Sequence, residues 1–286
     1  MTATEGRAWS SSLSTNDFAS CIEAGYQPVG FVQGCSVISW GWGSTMTAPL
    51  GMGYSGTTST RGYSEQFACP HGFVGADHRL YGLNYEQDWA EDAWRLGFSS
   101  SYQRLVDEAA RLSAHGVIAL VDRVIHDPDT ATYRFTIEGT AVRVAGAPDT
   151  KALFTTYLAG QKLNKLLEAG YAPVSVVAEF VSIQVFASCI TEYLLQGRGA
   201  VGWGQSIGGE LDQLSRAHEA ARHVARERVR AGLGSDLLHA AHLEVSEREL
   251  TGSGPQINVM LKGNRVRRFK AYEPLPPPRP VVRLVD

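Results

Sequence analysis

The sequence predicts an α+β protein, two tandem copies of a strand–(loop)–helix–strand–strand domain at residues 20–148 and 166–272. Three observations predict it. Glu23-Ala24-Gly25-Tyr26-Gln27-Pro28-Val29 returns 145 residues later as Glu168-Ala169-Gly170-Tyr171-Ala172-Pro173-Val174, identical at six of seven positions. A β-branched apolar stretch follows each, Gly30 to Ser39 and Ser175 to Phe186. An amphipathic helix and two more strands then complete each half. Self-similarity at a fixed period is the mark of a repeated structural unit.

The β-branched stretches read as strands. Tyr102 to His115 places Leu105, Val106, Ala109 and Leu112 on one stripe, and Leu211 to Ala231 does the same with Leu211, Leu214, Ala217, Ala221, Val224 and Val229. Spacings of three and four put such side chains on one helical face. Both helices contain Ala-Ala-Arg, at 109–111 and 220–222, an offset of 111. Gly116 and Gly232 stand where a left-handed residue would end each helix. Strands follow at Val117–His126 and Thr132–Val144, around the turn Asp127-Pro128-Asp129-Thr130. In the second half they fall at Leu237–Glu247 and Ile257–Phe269, around Thr251-Gly252-Ser253-Gly254-Pro255. Gly139-Thr140-Ala141-Val142 and Gly263-Asn264-Arg265-Val266 align the last strands at an offset of 124.

The changing offset gives copy one 34 extra residues before its helix and copy two 13 after its helix. The expected insertion is 41–98, rich in Gly, Ser, Thr and aromatics, with a short helix at Tyr85 to Leu96. Residues 149–165 are expected to form a linker helix that buries Leu153, Tyr157, Leu158 and Leu163, its apolar side continuing to Leu166. Residues 1–19 form a polar N-terminal segment, and the Pro-rich tail 273–286 favours polyproline II.

Composition narrows the function classes. The chain is 44% hydrophobic and 19% charged, with a net charge of −3, which fits a globular protein rather than a disordered one. That balance argues against a dedicated nucleic-acid binder. No apolar run reaches the roughly 18 residues of a membrane span, so no membrane partner is expected. The polar start lacks the pattern of a signal peptide, and a cytoplasmic protein is expected. Cys21, Cys35, Cys69 and Cys189 are too sparse for a disulfide framework.

The order of these motifs resembles the YbjQ-type family of small bacterial proteins, described as heavy-metal-binding domains. Gly139-Thr140-Ala141-Val142, Gly208-Gly209-Glu210 leading into Ala217 to Arg222, and the Val-Gln-Gly-Cys-Ser of Val32 to Ser36 carry the likeness. The chain departs from it at Phe98-Ser99-Ser100-Ser101, where the family has Gly-Gly, and at Gly263-Asn264-Arg265-Val266. The resemblance implies a ring-like homo-oligomer, commonly pentameric, and a metal role.

Read as chemistry, Cys69-Pro70-His71 with His78 is the best local metal constellation, because a thiolate and two imidazoles suit zinc or another heavy metal. Cys35 would add a fourth ligand if the loop folds back over the first strand. No paired C-x-x-C spacing supports it, and a Gly-rich loop holding one Cys and two His is the plainer reading. His239 and His242 oppose each other on a strand, and His218 and His223 do not share a helical face. Arg216, Arg222, Arg226, Arg228 and Arg230 make the outer side of the second helix basic, a solvated face or one for an acidic partner. Charges on both sides of Lys262 to Lys270 suggest an edge strand. Gly41-Trp42-Gly43 and Gly202-Trp203-Gly204 lack the Lys-Ser/Thr of a phosphate loop and read as loop anchors or interface residues. No nucleophile elbow is present. The sequence therefore favours a non-catalytic, oligomer-forming protein. The alternatives are an adaptor that recruits a protein through its P-x-x-P tail, and an enzyme with its site in 41–98.

Overall fold

The computed structural model describes residues 10–39, 62–63, 83–127, 132–148, 152–187, 191, 210–250 and 254–270. In chain order the elements are α1 (Thr15–Glu23), β1 (Tyr26–Ser39), β2 (Gly62–Tyr63), β3 (Leu83–Glu86), α2 (Asp88–Arg111), β4 (Gly116–Asp127) and β5 (Thr132–Val144). Then follow β6 (Phe154–Thr155), α3 (Gly160–Glu168), β7 (Tyr171–Phe186), α4 (Asp212–Leu233), β8 (Leu237–Leu250) and β9 (Gly254–Arg268). The fold is α+β, with sheets ordered β1-β5-β4-β6 and β2-β3-β7-β9-β8. Among the described residues no helix is long and apolar enough to cross a membrane.

The repeated Glu-Ala-Gly-Tyr-x-Pro-Val is a helix stop joined to a strand start. Gly25 and Gly170 hold φ of 80° and 82°, ending α1 and α3 in the left-handed region that suits glycine. The prolines after them lack an N–H, so each ladder slips: β1 shifts on β5 between Pro28 and Gly30, and β7 on β9 between Pro173 and Ser175. A second bulge falls in β4 between Ile118 and Val121, and in β8 between His239 and His242. There Ala119 and Ala240, 121 residues apart, carry φ of 54° and 50°.

Buried residues Gly97, Ser101, Leu105, Ala109 of α2 and Ala217, Ala221, Ala225, Val229 of α4 form stripes 120 residues apart. The shared Ala-Ala-Arg, at an offset of 111, buries its first alanine (Ala109) in α2 and its second (Ala221) in α4. Helix α2 begins at Asp88 rather than Tyr102, so 83–98 is ordered structure and not insertion loop. The short helix expected at Tyr85–Leu96 is the first part of this same helix, and Gly97 with Ser99 to Ser101 hides their continuity by interrupting the apolar stripe. Gly116 and Gly232 are not the caps. Ser113 (φ 53°) and Gly234 (φ 61°) take the left-handed positions, while Gly116 starts β4 with the Phe154 ring where a Cβ would sit, 2.4 Å away.

Two other expectations change. The helix expected at 149–165 is β6 followed by α3, which starts only at Gly160. The β-branched Thr155 and Thr156 are buried and strand-like, and Gly160 lies against Asp17 at φ 48°. β9 is no edge strand, since it lies between β7 and β8. Its arginines are accommodated by Asp236, which accepts from Arg265 Nε at 2.6 Å and Arg267 Nε at 2.8 Å.

The core has three parts. Val181, Ile183 and Val185 pack under Ala217, Ala221 and Ala225 of α4. Val32, Leu105, Val117 and Ile137 pack with Val176 of the second half. Cys21, Tyr26, Ile118, Val142, Leu163 and Leu166 pack with Val266. Each fully buried Val, Leu or Ile contributes roughly 1.5–3 kcal/mol, so the two mixed clusters hold the halves together. Close approach is built in: a Cβ on Gly34 of β1 would lie 1.8 Å from the Ser101 carbonyl oxygen of α2.

Candidate functional site

The densest group of buried charges lies where β3 and α2 meet β7 and α4. Glu86 ends β3, and Glu91 sits in the first turn of α2, where the helix N-terminus favours an acid. The side chains of both are only 1% exposed. Arg228 of α4 bonds Glu86 through Nη2 and donates from Nη1 to Glu91 Oε2 at 2.5 Å. Arg95 Nη2 donates to Glu91 Oε2 at 3.2 Å and to Glu179 Oε1 at 3.1 Å, and its Nη1 to Asp92 at 2.8 Å. The backbone N–H of Ser182 donates to the other Glu91 oxygen at 3.1 Å.

Inside the cluster three carboxylates (Glu86, Glu91, Glu179) face two guanidiniums (Arg95, Arg228). That imbalance sets the electrostatics. Burial pushes the Glu91 carboxyl up to about 7, against the downward pull of the Ser182 N–H and Arg228 and with the help of Glu86. Burial alone would weaken Arg228 as a base, but Glu91 and Glu86 raise it above its ordinary value. Glu86 Oε2 is buried with no hydrogen-bond partner among the described residues.

A polar layer continues beneath. Gln256 Nε2 donates to Gln87 Oε1 at 2.6 Å and to Ser182 Oγ at 2.8 Å. Buried Gln213 donates to Asn84 at 3.2 Å and to the Phe186 carbonyl at 2.8 Å. This layer fastens β3 onto the edge of β7. Beside it Trp94 stacks between Phe98 and Phe180, at centroid distances of 5.1 and 5.5 Å. A second bridge between halves is Lys262 to Asp122, 3.1 Å to each oxygen, with Nζ 5.9 Å from the Tyr157 ring centre. Burial, then Asp122, pushes the Tyr157 hydroxyl upward.

Cys69, His71 and His78 lie outside the described residues, as do the turn residues 128–131, both Gly-Trp-Gly segments and the tail. Cys35 is exposed on β1, its Sγ 3.9 Å from Thr136 Oγ1, and no metal-ligating group among the described residues includes it. His239 and His242 are exposed on β8 across its bulge, and His218 Nε2 meets Glu247 Oε1 at 2.6 Å. Arg228 does not belong to the outer basic face; it turns inward. It lies on the stripe of Ala217, Ala221 and Val224, and that position is the sequence signal for its role. Asp88 and Glu91 at the start of a Trp-containing helix were the other signal.

Glu86, Asp88 and Glu91 bring ligand oxygens within 4.8 Å of one another. Arg228 already neutralises two of them, so a cation there would have to displace a guanidinium. Among the described residues the arrangement is an ion-pair cluster in which Arg228 and Arg95 hold Glu86, Glu91 and Glu179. A groove of about 400 Å³ between the starts of α1 and α3 is lined by Ser14, Asp17, Tyr157 and Lys162 among others, and offers one acid and one base. No family model, curated protein or solved structure matches the chain.

Proposed function

We propose that this chain is a non-catalytic, oligomer-forming protein of YbjQ type, made of two tandem copies of one domain. One observation carries the reading. Ahead of α1, Ser12 N donates to Thr140 Oγ1 at 3.2 Å and Leu13 N to Ser11 Oγ at 3.0 Å. Ahead of α3, Tyr157 N donates to Asn264 Oδ1 at 2.8 Å and Leu158 N to Thr156 Oγ1 at 3.1 Å. Every donor differs from its counterpart by 145 positions, and Thr140 from Asn264 by 124. The side chains have changed while the bonds are kept, as expected when one ancestral unit is duplicated. The shared bulges and left-handed residues support the same reading.

A non-catalytic role fits the closed pairing of the buried charges. Assembly fits the way each half covers surface on the other, which a single-domain relative would satisfy with another subunit. In this reading Cys69, His71 and His78 hold a zinc or other heavy-metal ion. Native mass spectrometry of the purified chain with elemental analysis tests both parts. The expected result is one discrete homo-oligomer carrying metal, with less metal in Cys69→Ser/His71→Ala. A monomer at micromolar concentration defeats the assembly reading, and unchanged metal in the double variant defeats the site.

A further inference from the structure

The two halves meet through one contact that occurs in only one direction. The segment before α3 runs along the outer edge of β4, in the first half. Phe154 N donates to the His115 carbonyl at 3.2 Å and Thr156 N to Val117 at 3.0 Å. In return Ala119 N donates to Leu158 at 3.0 Å and Leu120 N to Thr156 at 3.1 Å. The left-handed Ala119 turns the β4 bulge so that two successive N–H groups face this segment. Gly116, Val117, Ile118 and Leu120 are buried as a result.

Among the described residues neither counterpart of this contact has a partner segment. β8 has the same bulge and the same strained alanine, Ala240, yet it forms the sheet edge. Neither Ala240 N nor Ala241 N donates to another segment among the described residues. His239, Ala240 and Ala241 are exposed, and Leu237 is 51% exposed. The segment before α1 keeps its inner bonds to Thr140, no strand among the described residues pairs with its outer side, and Ser10 and Ser12 are exposed. A non-glycine residue at positive φ costs of order 1–3 kcal/mol, so the strain in Ala240 implies a use for the N–H groups it presents.

We infer that the β8 edge, Leu238 to Ala241, receives the Ser10–Leu13 segment of a second copy of this chain, head to tail, as β4 receives Phe154–Leu158 within the chain. The inference rests on the oligomer-forming reading and names its interface. Charge favours it. In the chain α1 packs on α3, with Asp17 and Glu23 on α1 and Lys162 and Lys165 on α3. The new contact brings the same two kinds of helix together from different chains. The geometry departs at one end, where Leu237 replaces Gly116 and the ring packing of Phe154 cannot recur. A contact between unlike faces closes into a ring or runs on as a filament.

The test uses the full chain carrying Cys35→Ser, Cys69→Ser and Cys189→Ser, which leaves buried Cys21 as its native thiol. Ser10→Cys with Leu238→Cys places thiols on residues that would be direct cross-strand partners, within disulfide reach. Mild oxidation is expected to give covalent multimers of the 31.0 kDa chain in the double variant and in neither single one. Ala241→Pro, which removes one outward N–H, is expected to reduce the assembly to single chains with an unchanged circular dichroism spectrum. An intrachain crosslink would show that the segment folds back on its own β8 and would overturn the inference. So would an oligomer that neither crosslinks nor responds to Ala241→Pro, although assembly itself would stand. If deleting 271–286 alone accelerates hydrogen exchange of Ala240 and Ala241 without changing the mass, the tail covers this edge and the inference fails.

Discussion

Glu91→Gln isolates the electrostatic cost of the buried cluster. The Glu91 side chain is 1% exposed and its carboxyl is held at about 7 rather than 4.5. The folded protein therefore binds a proton that the unfolded chain has released between those values. Stability falls with rising pH wherever the folded state binds more protons. The favourable contribution is complete below about pH 4.5 and is lost as pH rises through about 7. The gap corresponds to about 3 kcal/mol, with little solvent screening to reduce it. Glutamine keeps the shape and the acceptor for Ser182 but carries no charge, and its NH2 group replaces the oxygen that accepts from Arg228 and Arg95, a loss that does not vary with pH. Urea unfolding between pH 5 and 8.5 should show the variant gaining stability relative to the parent as pH rises. The relative gain between pH 5 and pH 8 should be up to about 3 kcal/mol. Parallel curves would refute the assignment, because Glu91 would then ionise alike in both states.

Arg228→Met removes the counter-charge of Glu86 and Glu91, and breaking a buried pair from one side costs about 3–5 kcal/mol. The loss should be largest at pH 8, smaller at pH 5 and partly restored by adding Glu86→Gln; denaturant midpoints check it. The Arg267 and Arg265 guanidiniums hold the Asp236 carboxyl at about 2, below its ordinary 3.8. That contribution is present above pH 3.8 and lost as pH falls through 2, so the Tm deficit of Asp236→Asn should be full at pH 6 and shrink towards pH 2. Gly34→Ala places a methyl 1.8 Å from the Ser101 carbonyl oxygen. Lifting α2 from β1 should cost at least the 1–3 kcal/mol usual for overpacking, and a denaturation midpoint equal to the parent would show that the helix yields without cost.

The long strands were legible because β-branched alternation is a local property: Thr132–Val144 was read to the residue. The first part of α2 was legible as the short helix expected at Tyr85–Leu96, but its continuity with the helix expected from Tyr102 was not, since Gly97 and Ser99 to Ser101 interrupt the apolar stripe between them. α1 was missed for a related reason. It is a nine-residue helix in a polar stretch, held by the Ser14 cap and by α3 rather than by its own stripe. The charged cluster was hidden because its members come from β3, α2, β7 and α4, and no local pattern joins Glu86 to Arg228.

Local chemistry in the sequence determined the repeated Gly-Tyr-x-Pro-Val turn, the positions of the long strands along the chain and the mixed α+β class. Glycine at a left-handed helix stop and proline at a ladder slip act through their own backbones, so their meaning travels with the residue. The tertiary structure decided what lies between the halves. It added β3 to the second sheet and β6 to the first, turned Arg228 inward onto Glu86 and Glu91, and covered the β4 edge while, among the described residues, no segment covers the matching β8 edge. Those outcomes depend on surfaces brought together from distant positions, Arg228 and Glu86 being 142 residues apart, and burial changes the cost of a charge or an unpaired N–H in a way that no single segment encodes.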